Sequence, residues 1–316
     1  MDDLYVDLRN VIGRPLLLKC EGFNFAGSVK LKAAAAMVDA AERDGLLTPG
    51  ATIVESSSGN LGIALSLIAA DRGLKFVCVT DPRCNPASMR VMRALGAEVR
   101  VVSRTDANGG FLESRIRYVR ELCETDGYVW LNQYANRNNW LAHYRGTAPA
   151  IDREFPDLEV LFVGAGTTGT LMGCARYFRE HGRPVTIVAV DAVGSVTFGG
   201  VPGPRMVPGL GTSSRPALVD ESLVDDVVHV PETDTIRTVR ALSSRGFLFG
   251  GSTGTVVSGA CRWLDAKYPG ADPVAVAIAP DLGERYLDSL YAEGWLREHF
   301  PALIPELDSG ADILGV

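Results

Sequence analysis

Lys30 closes the run Asn24-Phe25-Ala26-Gly27-Ser28-Val29-Lys30 and opens an Ala-rich stretch with helical periodicity. An amine at a helix start feels the positive end of the helix dipole. That disfavours its ammonium form and frees a nucleophile for Schiff-base chemistry. A lysine so placed is more often a solvated surface residue, so the motif needs company. Three Gly-rich turns, each between a strand-like and a helix-like segment, supply it. Glu55-Ser56-Ser57-Ser58-Gly59-Asn60-Leu61-Gly62 offers N–H groups and hydroxyls that can cup an anion, although an ordinary Ser/Asn helix cap reads the same way. Val163-Gly164-Ala165-Gly166-Thr167-Thr168-Gly169-Thr170 combines glycines for close backbone approach with threonine donors, and reads as a phosphate cradle. It contains a G-x-G-x-x-G match but has no clear acidic partner at the distance a dinucleotide site uses. Phe249-Gly250-Gly251-Ser252-Thr253-Gly254-Thr255 is, by itself, one more strand-to-helix turn.

Such turns need strands that end where they begin. Short β-branched runs predict strands at 52–55, 76–80, 98–102, 161–163, 186–190 and 274–278. Between them, helical periodicity marks 31–44, 61–72, 87–95 and 170–180. The alternation predicts an α/β fold: two open, twisted, mostly parallel sheets with helices on both faces. An irregular region near 133–145 separates two series, which suggests two units with a cleft between them. Residues from Pro301 onward read as an irregular tail.

The chain has 316 residues, 47% hydrophobic and 22% charged, enough for a full core without staples. A net charge of −7 argues against nucleic acid as a partner. The first residues, Met1-Asp2-Asp3-Leu4-Tyr5, lack an apolar signal region, and no run is long enough to span a bilayer. A cytoplasmic protein with no membrane partner is therefore expected. Six cysteines without a C-x-x-C pair read as reduced core residues. Four scattered histidines show no metal-ligand spacing, and no metal is expected.

In order and spacing, the motifs resemble those of the cysteine synthase and cystathionine β-synthase family of pyridoxal 5′-phosphate (PLP) enzymes, fold type II. The resemblance runs from Gly13-Arg14-Pro15-Leu16 to about Ala260. It implies PLP in the cleft between two domains, a larger one of residues 1–32 and 145–316 and a smaller, mobile one of 33–144. It implies a homodimer acting on amino acids. Lys30 would carry PLP and be the catalytic base, and Asn60 would meet the 3-oxygen of the ring. Gly166, Thr167, Thr168, Gly169 and Thr170 would hold the phosphate, and Ser252 would face the pyridine nitrogen. A serine there does not force protonation of that nitrogen, which favours loss of a β-substituent over transamination. Ser57, Ser58 and Asn60 would bind the substrate α-carboxylate, with Gln133 closing from the far side. Arg115, Tyr134 and Ser213 are further candidates for the substrate pocket, as is Arg137.

The lysine motif ends Lys30-Leu31-Lys32 where ordinary cysteine synthases have Lys-Asp-Arg, and the serine loop continues with Leu61 rather than Thr. Asn132-Gln133-Tyr134-Ala135-Asn136, Asp191-Ala192-Val193-Gly194-Ser195-Val196 and Pro208-Gly209-Leu210-Gly211-Thr212-Ser213 are similar to the 2,3-diaminopropionate-forming branch, which serves siderophore and antibiotic pathways. That branch joins O-phospho-L-serine to L-glutamate, giving N-(2-amino-2-carboxyethyl)-L-glutamate and phosphate. Cysteine synthesis from O-acetylserine or O-phosphoserine with sulfide is the alternative within the family. A catalytically inactive binding or regulatory relative is the alternative outside enzymes.

Overall fold

The computed structural model describes residues 3–105 and 110–308. Its strands are β1 (Tyr5–Asp7), β2 (Leu17–Cys20), β3 (Thr52–Ser56), β4 (Lys75–Thr80), β5 (Glu98–Val101), β6 (Val129–Trp130), β7 (Val160–Gly164), β8 (Thr186–Ala192), β9 (Asp226–Val230) and β10 (Ala275–Ala279). They form a six-stranded sheet, β1-β2-β10-β7-β8-β9, and a four-stranded sheet, β5-β4-β3-β6. All neighbours are parallel except β1, which runs antiparallel to β2.

Parallel strands need both faces covered, because their crossover helices lie on the sheet. Period-two alternation shows how. In β3 and β4, Ile53, Phe76 and Cys78 pack with Met37, Ile63 and Leu65 from the helices Lys30–Arg43 and Asn60–Arg72. Val54, Val77 and Val79 turn to the other face and meet Val119 and Leu122 of the helix Leu112–Asp126. The larger sheet repeats this: Phe162 and Val188 face the helix Gly251–Lys267, while Leu161 and Ile187 face the helix Gly169–Glu180. Among the described residues, no helix is long and apolar enough to cross a membrane.

The six expected strands and four expected helices are present, with ends shifted by one or two residues. Four strands are additional. β2 is interrupted by Lys19, yet that lysine is only 2% exposed. It is paired with Asp3 and, at 3.2 Å, with Glu21. The region 133–145 is not irregular: it holds the helix Arg137–Ala142 and a π-helical turn, His143–Thr147. The Asn136 side chain caps that helix by accepting from Asn138 N at 2.9 Å. The expected tail is ordered through residue 308. Leu303 and Ile304, in a 3-10 turn and a short helix, pack on Ile236, Val239, Leu290 and Leu296. Residues 309–316 lie outside the described part.

Candidate active site

Ligands of open α/β sheets collect beyond the carboxyl ends of the strands. Here the turns after β3 and β7, the start of the Lys30 helix and the start of the Gly251–Lys267 helix line one cavity of about 560 Å³. Lys30, the first residue of its helix, opens onto it. Burial pushes the Lys30 amine below its ordinary pKa, and the nearby Asp281 carboxylate opposes that shift. Attack on a carbonyl requires the neutral amine, the form that burial favours.

The turn after β7 is built to admit an anion. Thr168 sits in the left-handed region, at φ 67°, which non-glycine residues rarely occupy. Its hydroxyl is buried with no hydrogen-bond partner. A side chain at Gly166 would place Cβ 2.9 Å from Gly209 O. One at Gly169 would place Cβ 2.0 Å from Asn139 Oδ1. Thr167 Oγ1 is held by Asn139 Nδ2 at 3.1 Å. Thr170 Oγ1 meets His143 Nε2 at 3.2 Å, while His143 Nδ1 meets Thr147 Oγ1 at 3.0 Å. Burial holds the imidazole well below its ordinary pKa, so His143 is a neutral orienting group. Free N–H groups of the twelve-residue helix Gly169–Glu180, with an orphaned hydroxyl beside them, fit a phosphate. Ser252 lies across the cavity. Its Oγ is 2.1 Å from where a Cβ on Gly209 would stand, so the loop carrying Gly209 and Ser213 packs directly on it.

The turn after β3 uses side chains. Ser57 Oγ accepts from Gly62 N at 2.9 Å and Gly59 N at 3.3 Å, which leaves its hydroxyl hydrogen to donate. Ser58 and Asn60 line the cavity beside it. Gln133 is tied in at two points: its N donates to Glu55 Oε2 at 3.1 Å and its Nε2 to Ser56 O at 2.8 Å. The Tyr134 hydroxyl stands 3.5 Å from Ser56 Oγ. Glu55 is fully buried and also accepts from Ser56 N and Trp130 Nε1, both at 2.9 Å. Burial still pushes its carboxyl up to about 7. Arg115 is 8% exposed, with Nη1 3.3 Å from Asp81 Oδ2 and Nε without a hydrogen-bond partner.

The fourteen site residues expected from the sequence all line this cavity. Arg137 does not; it is exposed at the start of its helix. Sequence reasoning missed Asp81, Arg83 and Arg205, which share the lining, and the run Asp281-Leu282-Gly283-Glu284-Arg285-Tyr286. Arg83 stands over the Phe111 ring at 5.2 Å. Among the described residues, the charged side chains lining the cavity are Lys30, Arg83, Arg115 and Arg205, against one acid, Asp81. A chain of net charge −7 thus keeps a cationic cavity, suited to anionic substrates.

The family model of pyridoxal-phosphate dependent enzymes matches residues 5–281. A relative from Ralstonia nicotianae, an N-(2-amino-2-carboxyethyl)-L-glutamate synthase, is 42% identical over 88% of this chain and 82% of its own length. One of the same name from Cupriavidus metallidurans is 39% identical over 92% of this chain and 87% of its own. Among solved structures, an O-ureido-L-serine synthase superposes with TM-score 0.81 at 32% identity, covering 94% of this chain and 96% of that one. A hydrogen sulfide-producing enzyme from Fusobacterium nucleatum gives 0.83 at 29% identity, with 90% and 96% covered.

Proposed function

The chain belongs to the pyridoxal-phosphate dependent enzymes of fold type II, and from that premise we propose that it joins O-phospho-L-serine to L-glutamate, releasing phosphate and N-(2-amino-2-carboxyethyl)-L-glutamate. The observation that carries this reading is the cationic cavity lined by Lys30, Arg83, Arg115 and Arg205. It gathers an amine, a phosphate-shaped turn and a hydroxyl-rich turn around Arg115. The likeness to two synthases of that name supports the choice of substrates.

Lys30 would hold the cofactor through its Nζ, with Gly166, Thr167, Thr168, Gly169 and Thr170 on the phosphate. Ser252 would face the ring nitrogen and Asn60 the 3-oxygen. The bound cofactor supplies an electron sink that acidifies the substrate Cα–H and lets the β-substituent leave. Ser57 and Ser58 donate to the α-carboxylate and orient the Cα–H toward Lys30. The Lys30 Nζ, set free when the substrate amine takes its place on the cofactor, would take that proton, and after glutamate has added at Cβ it would return a proton to Cα. Arg115 stabilises the departing phosphate, whose charge a neutral donor cannot match. Gln133, Tyr134 and Ser213 complete the substrate wall.

We also place residues 33–144 in a smaller mobile domain that closes over the substrate, with 1–32 and 145–316 as the larger domain. A cytoplasmic homodimer serving siderophore or antibiotic synthesis completes the proposal. The test is product analysis with O-phospho-L-serine and either glutamate or sulfide. Phosphate release that depends on glutamate, and is lost in Lys30→Ala by about a thousandfold or more, is expected. Turnover with sulfide alone would replace the reading with cysteine synthesis.

A further inference from the structure

Asn60 is gripped from both sides by the far end of the chain. Its Oδ1 accepts from Arg285 Nη1 at 2.6 Å, and its Nδ2 donates to Asp281 Oδ2 at 2.8 Å. These contacts span 225 and 221 residues of sequence. A side-chain amide can turn over wherever its neighbours tolerate both orientations. Here they do not. A guanidinium only donates and a carboxylate only accepts, so the two partners dictate which end of the amide is oxygen.

Both partners are themselves anchored. Asp281 is 1% exposed, and its Oδ2 also accepts from the Tyr286 hydroxyl. Its Oδ1 packs on the turn before Ser252, 2.1 Å from where a Cβ on Gly250 would stand. Arg285 donates through Nη2 to Ala26 O, in the loop that leads to Lys30, and its backbone carbonyl accepts from Asn85 Nδ2. A side chain at Gly27 would strike the same guanidinium, with Cβ 2.3 Å from Nη2. One pair of charged residues therefore contacts the approach to Lys30, the side chain of Asn60 and the turn that carries Ser252.

We propose that Asp281 and Arg285 are positioning residues that fix the Asn60 amide so that the second hydrogen on Nδ2 is presented to the 3-oxygen of the cofactor. An amide nitrogen carries two hydrogens, and Asp281 takes one. The reversed amide would offer its own oxygen to the anionic 3-oxygen and repel it. Arg285 blocks that reversal by donating to Oδ1, and Asp281 blocks it by accepting from Nδ2. The inference rests on the reading above that Asn60 faces this oxygen.

The test uses the purified holoenzyme and the variants Asn60→Ala, Asp281→Leu, Asp281→Asn, Arg285→Met and Arg285→Lys, with Asp281→Leu and Arg285→Met repeated in the Asn60→Ala background. Two quantities are read: the dissociation constant of PLP, and the ratio of visible to near-ultraviolet absorbance of the bound cofactor. That ratio reports hydrogen bonding at the 3-oxygen. Asn60→Ala, Asp281→Leu and Arg285→Met should each lower the ratio and weaken PLP binding about three- to tenfold, the scale of one hydrogen bond. Asp281→Asn, which keeps an acceptor, and Arg285→Lys, which keeps a donor, should retain the ratio. In the Asn60→Ala background the ratio should stay where Asn60→Ala puts it, because the effect of both residues on the 3-oxygen runs through Asn60. Only the ratio is read in that background, since Arg285 also holds Ala26 O and Asp281 also packs on the turn before Ser252. If the effects on the ratio add to that of Asn60→Ala, or if Asp281→Leu and Arg285→Met leave the ratio unchanged while Asn60→Ala alters it, the positioning role is wrong. If Asn60→Ala itself changes neither quantity, the cofactor role of Asn60 fails and takes this proposal with it. Should one of the two disruptive variants not fold, the other, set against its conservative partner, decides the matter.

Discussion

The turns after β3 and β7 follow the same local plan, a parallel strand feeding a helix, yet they are built differently. The β7 turn presents backbone. Its glycines are crowded, with no room for Cβ at Gly166 or Gly169, and Thr168 is held at positive φ. The β3 turn presents side chains, and its shape depends on partners elsewhere: Glu55 on Gln133, Ser57 on Gly62, Asn60 on Asp281 and Arg285. A backbone cradle suits a group that stays, because it is rigid and costs no rotamer entropy on binding. Hydroxyls and amides suit a substrate that enters and leaves. The difference predicts that damage to the β7 turn falls on cofactor affinity and damage to the serines of the β3 turn on substrate handling, with Asn60 the one residue of the β3 turn that reaches the cofactor.

The largest separation is expected at Gly169. An Ala there drives Cβ into Asn139, whose Nδ2 holds both Gln133 O at 2.8 Å and Thr167 Oγ1. Gly169→Ala should weaken PLP binding about 10- to 100-fold, corresponding to one or two lost buried hydrogen bonds. Titration of the apoprotein with PLP measures it; an unchanged affinity would remove the rigid-cradle half of the comparison. On the other turn, Ser57→Ala should raise KM for O-phospho-L-serine about tenfold while leaving the PLP dissociation constant within about twofold. A loss of PLP affinity equal to that of Gly169→Ala would show that the turns are not functionally distinct.

The smallest effect concerns pH. The Glu55 carboxyl is raised by burial from 4.5 to about 7, so between these values the folded protein binds more protons than the unfolded chain. Its contribution to stability is present below about 4.5 and is lost as pH rises through about 7. Glu55→Gln should flatten that part of the Tm-against-pH curve. It should also lower Tm at all pH values, because both carboxylate oxygens of Glu55 already accept from N–H donors, and the amide nitrogen of Gln would face one of them. A variant with the same pH slope as the parent would show that Glu55 is not the titrating group.

How far the sequence spoke depends on how local the physics was. Runs such as Phe76-Val77-Cys78-Val79 bury both faces and are legible as they stand. β2 and β9 carry Lys19, Asp226 and His229 inside short strands, and their pairing depends on residues far away. The three turns and Lys30 were legible through their order and spacing together, since each alone reads as an ordinary helix cap, strand-to-helix turn or surface lysine. Asp281 and Arg285 were not. A charged run after a strand looks like solvated surface, and only the fold brings it to Asn60. Arg83 and Arg205 were hidden for the same reason: nothing in their neighbours marks an arginine as cavity-facing.

The most direct test of the account is the visible absorption spectrum of the purified protein during addition of O-phospho-L-serine and then L-glutamate. The account predicts a yellow protein whose lysine-bound cofactor band shifts on the first addition and is restored by the second. A protein that shows no such band after PLP is supplied, or whose band does not respond to O-phospho-L-serine, would contradict it.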